Sequence, residues 1–167
     1  MIKIIYIISI IGVVIDQISK IIIDKVLKLN DSIDIIDPFF NITYIRNTGA
    51  AWGIFSNNTM FLALISIMFL IFLIKYIKEN QKDLTKLTSI SLGILIGGLV
   101  GNLIDRVVRN YVIDFFDFQI FGYDFPVFNI ADVLIVLAVI LLIIEGFIGD
   151  DKNDSRRRKE KNRSVSK

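Results

Sequence analysis

Asp114 and Asp132 are the residues of this chain best suited to chemistry. Each is set in apolar sequence, Val112-Ile113-Asp114-Phe115-Phe116 and Ile130-Ala131-Asp132-Val133-Leu134, and neither has a basic residue at a helical spacing. A carboxylate in hydrocarbon costs on the order of 2.5 kcal/mol or more, so a chain that keeps one there marks a functional site. The chain has no His and no Cys, which removes the usual base of serine and cysteine hydrolases, the commonest zinc ligands and thiolate chemistry. Asn129, three residues before Asp132, is placed to hold that carboxyl by a hydrogen bond. If the two carboxyls meet, burial and like-charge repulsion keep both from ionising together, and the pair holds one shared proton. Such a pair offers a base and an acid at once, able to activate water and protonate a leaving group.

The elements that must position these groups are membrane helices. Of 167 residues 54% are hydrophobic and the mean hydropathy is +0.64, beyond the roughly 45–50% apolar share of soluble domains. A spanning helix needs roughly 20 mainly apolar residues, and four stretches qualify: 4–23, 60–77, 87–104 and 128–147. The first holds Asp16 and Lys20 and is followed by no small-residue cleavage site, so it stays as a transmembrane helix. With both termini in the cytoplasm, the inner segments hold thirteen of the nineteen Lys and Arg, which fixes the orientation by the positive-inside rule. Asp16, Asp105 and Asp132 then converge on the outer leaflet. The tail 150–167 holds eight basic and four acidic residues and reads as a disordered basic cytoplasmic segment.

The outer loop 24–59 is too long for a mere connection. Its Phe39–Ile45 run, rich in β-branched and aromatic residues, predicts a short strand or hairpin. In Arg46-Asn47-Thr48-Gly49-Ala50-Ala51-Trp52-Gly53, Asn47 offers an amide and Trp52 suits the headgroup level. Gly93, Gly97, Gly98 and Gly101 in the third helix let backbones approach closely. Gly98, Asn102 and Asp105 share a face of that helix. Asp105 with Arg109, and Asp16 with Lys20, have the i,i+4 spacing of structural ion pairs.

Taken in order, Asp16-Gln17-x-x-Lys20, Asn47-Thr48-Gly49-Ala50-Ala51-Trp52-Gly53, Gly97-Gly98-x-x-Gly101-Asn102-x-x-Asp105-Arg106, Val112-Ile113-Asp114-Phe115 and Phe125-Pro126-x-Phe128-Asn129-x-Ala131-Asp132 resemble the motifs of bacterial lipoprotein signal peptidases, the type II signal peptidases. The resemblance implies an all-α integral membrane protein, with four transmembrane helices over residues 1–149 and a small extracytoplasmic β-containing cradle. It implies an aspartic endopeptidase that cleaves prolipoproteins before the diacylglyceryl-modified cysteine, with Asp114 and Asp132 as the catalytic dyad. Asp16, Lys20, Asn47, Gly98, Asn102, Asp105, Arg106, Asn129 and Ala131 match positions that support or line that site. The expected partners are lipidated signal peptides and membrane lipids. No metal, cofactor or nucleic acid is expected, and the protein is expected to be a monomer in the bacterial cell membrane with its site facing outward.

Two other classes also bury carboxyls. An ion-coupled carrier would trace a path of them across the membrane and carry inverted repeats. A Mg²⁺-dependent lipid phosphotransferase would cluster aspartates at close helical spacing on the cytoplasmic side.

Overall fold

The computed structural model describes residues 1–49, 55 and 57–165, without the side chains beyond Phe147. Trp52, read above as suited to the headgroup level, lies outside the described residues. Four helices, α1 (Ile2–Val26), α2 (Thr59–Asn80), α3 (Lys86–Arg109) and α4 (Ile130–Val165), each contain a stretch long and apolar enough to cross a membrane. The molecule is a multi-pass membrane protein. The helix surfaces follow from that: Ile7, Ile10, Met68, Phe72, Val136 and Ile140 are exposed because lipid, not water, is their solvent.

Helix α3 is the centre of the bundle and packs against α1, α2 and α4. Between helices in lipid there is little hydrophobic driving force, so close backbone contact must supply the association. The glycines of α3 do so on two sides. Towards α1, a Cβ on Gly93 would lie 2.9 Å from the Ile5 carbonyl oxygen, and one on Gly97 would lie 3.3 Å from the Cα of Gly12. Towards α4, a Cβ on Gly98 would lie 2.5 Å from the Ala131 carbonyl oxygen. The Ser9 hydroxyl adds a hydrogen bond of 3.1 Å to the Gly93 carbonyl.

The β elements form one antiparallel sheet in the order β1 (Ser32–Ile36), β2 (Phe40–Asn47), β3 (Val112–Ile120) and β4 (Tyr123–Asp124). The strand expected at Phe39–Ile45 is β2. Its partner β3, which carries Asp114, follows α3 after Asn110, whose left-handed conformation (φ 62°) ends the helix. A bulge separates the pairs Ile42–Phe116 and Ile45–Asp114. Because side chains alternate along a strand, the extra residue reverses which set of β2 side chains faces Asp114.

The start of α4 differs from the expectation. The helix begins at Ile130, not near Phe128, because the Phe128 backbone is held by β3: its N–H donates to the Phe116 carbonyl (3.1 Å) and its carbonyl accepts from Phe115 (3.0 Å) and Phe116 (2.8 Å). At the other end the backbone continues as helix to Val165. An existing helix extends without a new nucleation cost, and Arg, Lys and Glu are good helix formers.

The glycine contacts give a direct test. Gly98→Ala forces a methyl group into the α3–α4 contact and should lower the thermal midpoint by an amount corresponding to about 1–3 kcal/mol. Gly146→Ala, where the added Cβ meets nothing within 4 Å, should not. Thermal unfolding of the two purified variants in detergent checks both.

Candidate active site

Two polar layers lie at the sheet end of the bundle. The inner one is built around Lys20, which is fully buried on α1. Its ammonium lies 2.9 Å from Asp16 Oδ2 and 3.0 Å from Asp105 Oδ2, and it donates to Asn102 Oδ1 at 2.9 Å. Arg109 pairs with the other oxygen of Asp105, so two cations meet two carboxylates. Gln17 closes the layer, donating to Asp16 Oδ2 (3.1 Å), the Gly101 carbonyl (3.1 Å) and Asp105 Oδ1 (3.2 Å). Both i,i+4 pairs read from the sequence are formed. Asp16, Lys20 and Asp105 are all fully buried, and Arg109, the last residue of α3, is partly exposed.

The same carboxylates reach the neighbouring elements. Asp16 Oδ1 accepts from the Ala131 N–H of α4 at 3.0 Å, which satisfies one of the unpaired donors of a helix N-terminus and places an anion where the helix dipole favours it. Asp105 Oδ2 accepts from the Ile113 N–H of β3 at 3.2 Å. Helix α4 and strand β3 are thereby referred to one ion cluster, and each carries one of the two aspartates.

The outer layer contains those aspartates. Asp132 Oδ1 accepts from Asn102 Nδ2 at 2.8 Å, and its Oδ2 accepts from the Asn129 backbone N–H at 3.2 Å. Asn129 Oδ1 in return accepts from the Asp132 N–H at 3.1 Å. This reciprocal pair has the form of a capping box with Asn and Asp in place of Ser and Glu. Asp114 Oδ1 accepts from Asn129 Nδ2 at 2.6 Å, and Oδ2 from Asn47 Nδ2 at 2.8 Å. Asn129 thus touches both carboxyl groups. The expected bond from Asn129 to Asp132 exists, but the backbone N–H makes it, and the side-chain amide is spent on Asp114.

Burial, and behind it the charge of Asp132, push the Asp114 carboxyl up to about 7, against the opposing effect of the amides of Asn47 and Asn129. Positive charge absent from the local sequence arrives from other elements. Lys20 of α1 and Arg106 of α3 both act on the pair.

Asp114, Asp132, Asn47, Asn102 and Arg106 line the polar end of a cavity of about 970 Å³. Its remaining wall includes Val133, Val136, Leu137 and Ile140, at spacings that form one apolar stripe of α4. Gly98 and Ala131 are in backbone contact beside this wall. Among the described residues, no group of three Asp, Glu, His or Cys is placed to hold a metal ion.

The family model described as signal peptidase (SPase) II matches residues 8–148. The chain belongs to the signal peptidase II family. Two solved structures are similar over most of their length. One, a bacterial membrane enzyme determined by the in meso method at 2.3 Å resolution, is 44% identical and covers 88% of both chains, with a TM-score of 0.77. The other, a bacterial membrane enzyme determined by the same method at 1.9 Å, is 45% identical over 83% of this chain and 89% of its own, with a TM-score of 0.73. The family is one of proteases, and its match encloses both polar layers and stops short of the tail.

Sequence reading left Gln17 without a role, although its neighbour Asp16 and its one-turn offset from Lys20 were visible. It also left out Asp24, Tyr44 and Tyr111, which converge only through the tertiary fold.

Stability separates the two layers. Lys20→Met leaves Asp16 and Asp105 buried beside an apolar group and should cost about 3–5 kcal/mol. Asp114→Asn acts in the opposite sense. A carboxyl raised from 3.8 to about 7 on folding loses stability as pH climbs through that interval, because the unfolded chain releases its proton first. The substitution removes this loss, so at alkaline pH its thermal midpoint should equal or exceed that of the wild type.

Proposed function

We propose that this protein is an aspartic endopeptidase that removes signal peptides from bacterial prolipoproteins, cutting before the diacylglyceryl-modified cysteine, with Asp114 and Asp132 as its dyad. The observation that carries the reading is one cavity with two carboxyls at its polar end, Asp114 buried and Asp132 partly buried, and the apolar stripe of α4 along its wall. A substrate with an extended peptide next to lipid chains needs both surfaces. Membership of the signal peptidase II family supports the same substrate class.

In this mechanism the pair holds one proton, and Asp114 is its carrier. Asp132, at the N-terminus of α4 with the dipole favouring its charge, takes a proton from water as that water attacks the scissile carbonyl. Asp114 gives its proton to the carbonyl oxygen, and the tetrahedral intermediate forms without a covalent acyl-enzyme. Proton return through the pair then releases the amine. Asn47, Asn102 and Asn129 hold the carboxyls in place, and the positive charge of Arg106 on the same wall balances the single negative charge of the pair. The protein acts as a monomer without metal or cofactor. Asp16, Lys20, Asp105, Gly98 and Ala131 support the dyad from behind.

On this reading Asp114→Asn and Asp132→Asn each abolish cleavage of a lipidated precursor by purified protein, and the double change does little further harm. Asp117→Asn should retain most activity, since that carboxyl is held by Thr43 at 2.6 Å away from the pair. EDTA should have no effect. The rate should fall as pH rises through about 7, where Asp114 gives up the shared proton. Near-normal turnover in either single dyad variant would sink the mechanism. Chelator sensitivity would favour a metal-dependent phosphotransferase.

We also place both termini in the cytoplasm and the site on the outer side, on the strength of the Lys and Arg distribution. A Cys introduced at Asn57 should then react with an impermeant thiol reagent in intact cells, and one at Lys82 should not. The reverse pattern would invert the molecule. The native chain has no Cys to interfere.

A further inference from the structure

The bulge in β2 decides which residue faces Asp114. If the register Ile42–Phe116 ran on without it, Tyr44 would lie opposite Asp114, and Arg46, opposite Val112, would share the same face one step away. A guanidinium there would pair with the carboxylate and hold it ionised, which would remove the acid from the dyad. In the observed register Ile45 pairs with Asp114 and Asn47 with Val112. The diagonal neighbour of Asp114 is therefore the Asn47 amide, at 2.8 Å.

Arg46 is held elsewhere by a cluster drawn from three elements. Tyr44 is almost fully buried, and its hydroxyl donates to Asp24 near the end of α1. Arg46 Nε donates to the same hydroxyl oxygen at 2.9 Å, and Nη2 lies 3.6 Å from Asp24 Oδ1. The guanidinium also lies over the Tyr111 ring, 4.7 Å from its centroid, at the start of β3. Burial and the Asp24 contact push the Tyr44 hydroxyl up to about 12, so it is a neutral donor at any working pH. The Tyr44 backbone is turned away from β3, its N–H donating to the Asp31 carbonyl (3.0 Å) and its carbonyl accepting from Asn30 (2.9 Å). Arg46 lines the cavity, but none of these contacts is made to Asp114, Asp132 or the amides that hold them.

We infer that Arg46 is a positioning residue: clamped by Asp24, Tyr44 and Tyr111, it fixes the end of β2 in the bulged register, so that the Asn47 amide and not a cation faces Asp114. The inference rests on the dyad reading. Its consequence is electrostatic as well as geometric, because the Asn47 hydrogen bond favours the charged form of Asp114. The charged groups acting on Asp114 from the packed elements are Asp132 of α4, Lys20 of α1 and Arg106 of α3. All three are unchanged when Arg46 is altered.

The test is a rate–pH profile on a lipidated precursor for purified wild type, Arg46→Gln, Arg46→Lys, Asn47→Ala and the Arg46→Gln/Asn47→Ala double variant. Arg46→Gln should lower kcat about tenfold with KM within about twofold. It should also move the alkaline limb to higher pH, since Asp114 loses a bond to its charged form. Arg46→Lys, which keeps the charge but not the fork and the stack, should behave the same way. The double variant should be no worse than Asn47→Ala alone. Additive losses, or an unmoved alkaline limb, overturn the inference. If the Arg46 variants do not accumulate, Tyr44→Phe, which keeps the ring and loses the hydroxyl, must move the limb in the same direction, and an unmoved limb again overturns it. Persistent cleavage by Asp114→Asn would defeat the dyad reading itself. An inactive Asp114→Asn with an unmoved limb in Arg46→Gln would defeat only the clamp.

Discussion

The structure depends on one buried ammonium. Lys20 binds Asp16, Asp105 and Asn102 at 2.9–3.0 Å, and these partners pass the constraint to α4 and β3. Asp16 caps α4 through Ala131, Asp105 receives β3 through Ile113, and Asn102 reaches Asp132. In a medium where apolar packing between helices gains little over lipid, such polar contacts supply the specificity of assembly. The cluster is nearly neutral, with Lys20 and Arg109 against Asp16 and Asp105. Neutrality matters because an unbalanced buried charge would cost several kcal/mol. Gly101 belongs to the same design: a Cβ there would lie 2.5 Å from Asp16 Oδ2, so the carboxylate occupies space that only glycine leaves open.

Behind Asp114 and Asp132, amides do what further charges could not. Asn102 and Asn129 are each fixed in orientation by a partner that accepts no ambiguity. The Lys20 ammonium can only donate to Asn102 Oδ1, so Asn102 Nδ2 must point to Asp132. The Asp132 N–H can only donate to Asn129 Oδ1, so Asn129 Nδ2 must point to Asp114. Two donors aimed at each carboxyl hold its position to within hydrogen-bond tolerance without neutralising it. A lysine in place of either amide would instead fix the charge of the carboxyl it touched.

The parts legible in the sequence were those whose signals are local. Four apolar stretches became four helices, i,i+4 charges became ion pairs, glycines at spacing four became close contacts, and the β-rich run at Phe39–Ile45 became β2. What stayed hidden depended on register or on chain reversal. Nothing in Val112–Ile120 tells that its strand pairs with β2 through a bulge, because the bulge lies where the Tyr44 backbone is bonded to Asp31 and Asn30 instead. The second use of Asn129, its amide on Asp114, is hidden for the same reason. Spacing alone favours its amide for Asp132, whereas the bridge between Phe116 and Phe128 brings Asp114 close enough to take it. Lys20 and Arg106 act on carboxyls that are remote in sequence, so no spacing rule could reveal the cations.

One aspartate on a strand and the other in the first turn of a spanning helix is a useful division of labour at a boundary. A pair on one helix would share its hydrocarbon depth and have no route for water, while a pair on the sheet would lie away from an embedded substrate. Here β3 is outside the spans and α4 is one of them, and Asn129 bridges the two at their junction. The cavity reaches from Asn47 and Thr48, in and just after the sheet, to Ile140, ten residues along α4 from its first residue, Ile130. That is about 15 Å of helix at 1.5 Å per residue. On the proposed reading, water and peptide would approach the carboxyls from the sheet end, while an acyl chain or an apolar helix would lie along Val133, Val136 and Ile140 without entering the polar layer. The depth of Asp132, set by the Asn129 cap, is what makes those two approaches meet.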